Sequence, residues 1–151
     1  ASASRDTPVQ MPATLAPPSA QATPDVVALA VTPDRKGILT LEGSMRAGAF
    51  SVATVNVGAG ALITASPDTG VANLPIDLSL CQTDPATGVC ASAMGSSVPV
   101  QIDPGATPTF GVFATARGAV PFDPEVNRIF VRFRDAGGVV RGATSVAVKA
   151  P

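Results

Sequence analysis

Three groups of residues in this chain have the types and spacing to do chemistry. Arg128, Arg132 and Arg134 belong to the run Arg128-Ile129-Phe130-Val131-Arg132-Phe133-Arg134, at spacings of four and two. On an extended strand that spacing puts all three guanidinium groups on one face, opposite Ile129, Val131 and Phe133. Such a row can take carboxylate or sulfate groups, from an acidic polysaccharide or a neighbouring subunit, because the guanidinium fork matches them. The ordinary fate of such a row is different: a solvated strand face paired to Asp and Glu across the sheet.

The second group is Asp123-Pro124-Glu125-Val126-Asn127, where Asp123, Glu125 and Asn127 offer oxygen atoms at alternate positions. Calcium takes oxygen ligands spaced in this way. No second acidic cluster or glycine-centred loop accompanies them, so a turn with local side-chain caps is the expected structure, and no metal or cofactor is expected. The third group is Cys81 and Cys90, which flank Gln82-Thr83-Asp84-Pro85-Ala86-Thr87-Gly88-Val89. Pro85 suits the first central position of a type I turn, and Gly88 can take positive φ for a bulge. A hairpin of that kind brings the two cysteines within disulfide reach, as a staple on the outer face of a strand. The alternative is a pair of half-buried thiols. The spacing does not fit a CxxC redox or zinc site.

The rest of the catalytic repertoire is missing. The chain has no His, Trp or Tyr, and its only glutamates are Glu42 and Glu125. General acid–base and nucleophilic chemistry rely on such groups. Ser and Thr are plentiful but have no imidazole to activate them, and Lys36 and Lys149 fall in turn or terminal settings. The expectation is a protein that is not an enzyme. Sugar binding by ring stacking loses its usual platforms as well, so a polysaccharide partner has no support beyond the arginine row.

Charged residues make up 14% of the chain and the net charge is −1. That excludes the basic excess of a nucleic-acid binder and favours association with other protein. No apolar run is long enough for a transmembrane helix. The opening Ala1-Ser2-Ala3-Ser4 has the small residues that a signal peptidase leaves behind. Together with the cysteine pair it points to an oxidising, extracellular or cell-surface setting after signal-peptide removal.

Residues 1–24 hold Pro8, Pro12, Pro17, Pro18 and Pro24 among Ala, Ser, Thr and Gln. This composition predicts an extended, polyproline-like arm rather than a helix or a central strand. From residue 25 to 151 short alternating runs follow one another. They are Val27–Val31, Ile38–Glu42, Phe50–Val57, Leu62–Ala65, Leu74–Cys81, Val98–Ile102, Thr109–Thr115, Ile129–Phe133 and Ala143–Lys149. Turn signals separate them, among them Pro33–Gly37, Ser66–Gly70, Asp103–Gly105 and Asp135–Gly138. The clearest strand sets Leu74, Ile76, Leu78 and Leu80 on one face and Asp77, Ser79 and Cys81 on the other. With no helical periodicity, the pattern predicts an all-β, antiparallel sandwich of seven to nine strands.

From about Phe50 onward the chain resembles immunoglobulin-like domains of secreted or surface-exposed proteobacterial proteins. The residues that carry the resemblance are Phe50–Gly58, the hairpin Cys81–Cys90, Asn127–Phe133 and Gly142–Val148. It implies an immunoglobulin-like sandwich and export, and brings no catalytic residue. The Trp behind the inter-sheet disulfide of antibody domains is absent.

The expected function is that of a structural subunit. It would self-assemble as a homopolymer into an extracellular filament or surface layer, with the proline-rich arm contacting a neighbour along an edge at Val26–Val31 or Ile38–Leu41. The alternative is a monomeric adhesion or ligand-binding module, tethered by the arm and using the arginine face or the Pro121–Asn127 loop.

Overall fold

The computed structural model describes residues 23–151 of the chain. Within them lie nine strands: β1 (Val26–Val31), β2 (Ile38–Thr40), β3 (Ala47–Asn56), β4 (Ala61–Asp68), β5 (Ile76–Thr83), β6 (Val98–Ile102), β7 (Thr109–Ala116), β8 (Arg128–Arg134) and β9 (Val140–Lys149). A single 3-10 turn, Gly70–Ala72, is the only helical element among the described residues. The first sheet has the order β1-β3-β7-β5 and is antiparallel throughout. The second has the order β2-β9-β8-β4-β6, antiparallel except where β2 joins β9 in parallel.

The two sheets bury their alternating apolar positions against each other, as period-two patterning requires. Phe110 of β7 meets Phe133 of β8 across the interior, with ring centroids 5.5 Å apart and planes at 60°, a tilted contact favoured by the ring quadrupoles. Leu41, Leu80, Ile102, Ile63, Ile129, Val52, Val112, Val131, Val146 and Val148 are fully buried around them. The all-β, two-sheet architecture expected from the sequence is thus present.

Some strand limits differ from those read in the sequence, for physical reasons. Ser66-Pro67-Asp68 continues β4 instead of turning. Residues Thr64–Asp68 pair with β8, whereas β6 pairs only with Ala61–Ala65. At Pro67 the strand is therefore a local edge, and the missing N–H costs no ladder bond. Pro99 is tolerated likewise because β6 is the outermost strand of its sheet.

The chain closes on itself at two backbone contacts. Asp25 and Thr23 accept hydrogen bonds from Val57 N and Ala59 N, at 2.9 and 2.8 Å. The last residues of the proline-rich arm, Thr23 and Pro24, thus run along the domain's own β3–β4 connection. The other proline positions of the arm, Pro8, Pro12, Pro17 and Pro18, lie outside the described residues. Gly142 in β9 lies so close to the Val26 carbonyl that a Cβ there would stand 2.1 Å from its oxygen. Only glycine lets β1 approach the second sheet at this point.

Candidate functional site

The arginine row forms as its spacing predicts. Along β8 burial alternates strictly, with Ile129, Val131 and Phe133 inside and Arg128, Phe130, Arg132 and Arg134 on the outer face. The neighbouring strands then supply partners. Arg132 donates from Nε and Nη2 to the two carboxylate oxygens of Asp68, at 2.8 and 3.2 Å. Its guanidinium also lies 4.7 Å over the Phe130 ring. The hydrogen bond to Asp68 raises the pKa of an already permanent cation. Arg128 donates from Nε to Ser145 Oγ at 3.0 Å and from Nη1 to the Pro124 carbonyl at 2.8 Å. Arg134 reaches Ser66 Oγ at 3.3 Å. Asp68, Ser66 and Ser145 occupy these places because β4 and β9 flank β8. The row is mostly engaged within its own sheet, and only one of its three charges meets a carboxylate among the described residues.

The Asp123–Asn127 segment forms a turn. Val126 N and Asn127 N donate to the Asp123 carbonyl at 3.1 and 2.8 Å. Asn127 points inward and donates from Nδ2 to the Pro121 carbonyl at 3.0 Å, while Asp123 and Glu125 stay exposed. Among the described residues no three His, Cys, Asp or Glu side chains gather as a metal site.

Cys81 and Cys90 form a disulfide, with a Cα separation of 5.6 Å. The turn closes as expected: Gly88 N and Thr87 N both return to the Asp84 carbonyl, and Gly88 has φ of 75°. Its position corrects the reading of an exposed staple. The residue directly across from Cys90 is Thr83, and Cys81 itself is fully buried. Residues 90–95 return alongside β5, with Ala91 N and Ser92 N donating to the Gln82 carbonyl and Gly95 bridging Leu80. That return strip encloses the sulfur.

A further surface, which the sequence reading did not identify, lies on the first sheet. On the outer side of the first sheet the cross-strand rows run Leu29–Ala53–Thr109–Thr83 and Val31–Ser51–Gly111–Cys81. Next to them lie Val27–Val55 and the triple Ala49–Phe113–Ser79. None of these residues is charged; charge enters this face in the next row, Ala47–Thr115–Asp77, where Asp77 pairs with Arg117 at 2.8 Å. Val27, Leu29 and Val31 are 54%, 64% and 43% exposed, a lone apolar stripe on an edge strand. A groove of about 380 Å³ crosses this face, with Val31 and Gly88 as walls, Ser51 and Gly111 below and Phe113 at one end. The strict alternation of Val27, Leu29 and Val31 signals a two-faced strand without saying which face is inside. Ala28 and Ala30 are the residues that face inward.

A second groove, about 490 Å³, is lined by Thr40, Glu42, Val120, Phe122, Lys149 and Pro151. The Lys149 ammonium stands 5.5 Å from the Phe122 ring centroid. Comparison with protein-family models and with curated proteins finds no match to this chain.

Proposed function

We propose that the chain is a non-enzymatic, secreted structural subunit that self-assembles into an extracellular filament or surface layer, with its proline-rich N-terminal arm contacting a neighbouring copy. The observation that carries this reading is the exposed apolar stripe Val27, Leu29 and Val31 on the edge strand β1, continued by uncharged residues across β3 and β7 on the outer face of the β1-β3-β7-β5 sheet. Exposed apolar stripes of this kind mark protein contacts, and an uncovered edge strand is a place where other chains pair. Both strands expected at an edge, β1 and β2, are outermost in their sheets. The absence of His from the sequence and the engagement of the arginine row by Asp68, Ser66 and Ser145 also favour a structural role over a catalytic one.

We read the sandwich as immunoglobulin-like. The order β1-β3-β7-β5 corresponds to strands A, B, E and D, and β9-β8-β4 to G, F and C. The parallel β2–β9 pair is then the second half of a first strand divided between the sheets. The departure is β6, which pairs with β4 but arises in the D–E connection. The disulfide is in keeping with an oxidising, exported setting.

A second reading, a monomeric surface module that binds a ligand, is favoured by the groove beside Phe122, Lys149 and Glu42. Sedimentation velocity of the full chain over a concentration series separates the two. A growing ladder of oligomers supports the subunit. A single monomeric species at every concentration rejects it and directs attention to the groove.

A further inference from the structure

We propose that the outer face of the β1-β3-β7-β5 sheet is the surface that receives residues 1–22 of a neighbouring copy. The inference rests on the subunit reading and assigns its docking surface. The groove between Val31 and Gly88 has a floor of Ser51 and Gly111, and it continues past Ala53 toward Thr109 and Pro85. Small residues there let an extended backbone lie close to the sheet. Leu29 and Val27 prolong the apolar surface along β1. The charged residues that touch the groove, Arg35 and Asp84, are of opposite sign.

Residues 1–22 match this surface in chemistry and are more than long enough to cross it. They contain Val9, Met11 and Leu15, four prolines, and one residue of each charge, Arg5 and Asp6. Proline-rich segments dock in grooves through ring and backbone contacts. Their missing N–H groups make them poor partners for a β1 edge ladder, so the face suits them better than the edge. At the ~3.1 Å per residue of polyproline geometry, such a segment spans roughly 68 Å. The six residues of β1 cover roughly 20 Å.

The point of departure favours the neighbour over the same copy. Thr23 lies against Gly58 and Ala59, beyond the Val26 end of β1, whereas the groove lies behind that point, running from Thr109 and Ala53 to Val31 and Phe113. Toward the N-terminus the chain at Thr23 heads away from its own groove. Filling that groove from the same copy requires a full reversal, whereas a copy placed beyond the Val26 end is reached directly.

The test is photo-crosslinking in the full chain, with benzoylphenylalanine replacing the exposed Leu29, in a mixture of unlabelled and isotopically labelled copies. The expected products join position 29 of one copy to residues 1–22 of a differently labelled copy. In parallel, the double variant Leu29→Lys, Val31→Lys should raise the concentration needed for assembly at least tenfold while keeping cooperative thermal unfolding. Val71→Lys, on the exposed 3-10 turn, should leave assembly unchanged. If the chain assembles but the crosslinks join equal labels only, or fall outside residues 1–22, the docking surface is wrong and the subunit reading stands. If the chain never assembles, the subunit reading fails and this inference fails with it.

Discussion

Asn56 shows how a single polar residue organises this molecule. Fully buried at the end of β3, its Oδ1 accepts from Asp25 N and Gly58 N at 3.1 and 3.0 Å. Its Nδ2 donates to the Ala59 and Ile102 carbonyls at 2.8 and 3.0 Å. One amide thereby ties the start of β1, the β3–β4 connection and β6 together. Asn56→Ala leaves several buried backbone groups unpaired, and should cost about 2–4 kcal/mol in chemical denaturation. Asp135 plays a similar part at the β8–β9 turn. It pairs with Arg141 at 2.8 Å and accepts from Gly137 N and Val139 N. The Arg141 hydrogen bond, then the Val139 amide, hold its pKa below the ordinary carboxylate value. Its stabilisation is complete above the unfolded value of about 3.9 and fades as pH falls through the lower folded value. Protection of the Gly137 and Val139 amides, taken relative to their intrinsic exchange rates, should therefore fall on acidification through that window, and Asp135→Asn should remove this pH dependence. At this scale the sequence was only partly legible. The alternation of Arg128, Arg132 and Arg134 with Ile129, Val131 and Phe133 was readable. Their partners were not, because Asp68 and Ser145 become neighbours only through pairing 64 and 17 residues away.

Among the elements, the hairpin stapled by Cys81 and Cys90 and the β1–β9 approach carry separate tests. The disulfide closes a loop with a sequence separation of nine. Restricting the unfolded chain by a loop of that size stabilises by roughly 2.5 kcal/mol. Replacing both cysteines with Ser should lose about that much, and more by the cost of placing a hydroxyl at the buried position of Cys81. Denaturation with and without reductant checks the first part, and the Cys81→Ala, Cys90→Ala pair isolates the second. Gly142→Ala forces a Cβ into the Val26 carbonyl, so β1 must move off the second sheet. The expected loss is about 2 kcal/mol or more, with amide protection reduced first along β1. Turn chemistry made the hairpin legible, since Pro85 and Gly88 specify its closure locally. Pro67 misled because proline punctuates a sequence, whereas its tolerance depends on where β6 stops.

For the whole molecule, alternating apolar runs announced two packed sheets, and strand count followed from the turns between them. Sheet order was not legible, because nothing local in Ile76–Thr83 says that it joins β7 while Val98–Ile102 returns to β4. The apolar outer face was missed for a related reason. Period two states that a strand has two faces without saying which is inside, and the greater size of Val27, Leu29 and Val31 beside Ala28 and Ala30 does not decide it. The structure places the small residues inside, where β1 packs close to β9, and leaves the large ones in solvent. That inversion underlies the reading of this chain as a building block. Light scattering and negative-stain microscopy, on the full chain beside one lacking residues 1–22, test that reading most directly. All nine strands lie outside the deleted segment, and thermal unfolding verifies that the shortened chain folds. The account predicts regular polymers from the full chain and folded monomers from the shortened one. Equal behaviour of the two, whether both monomeric or both polymeric, would contradict it.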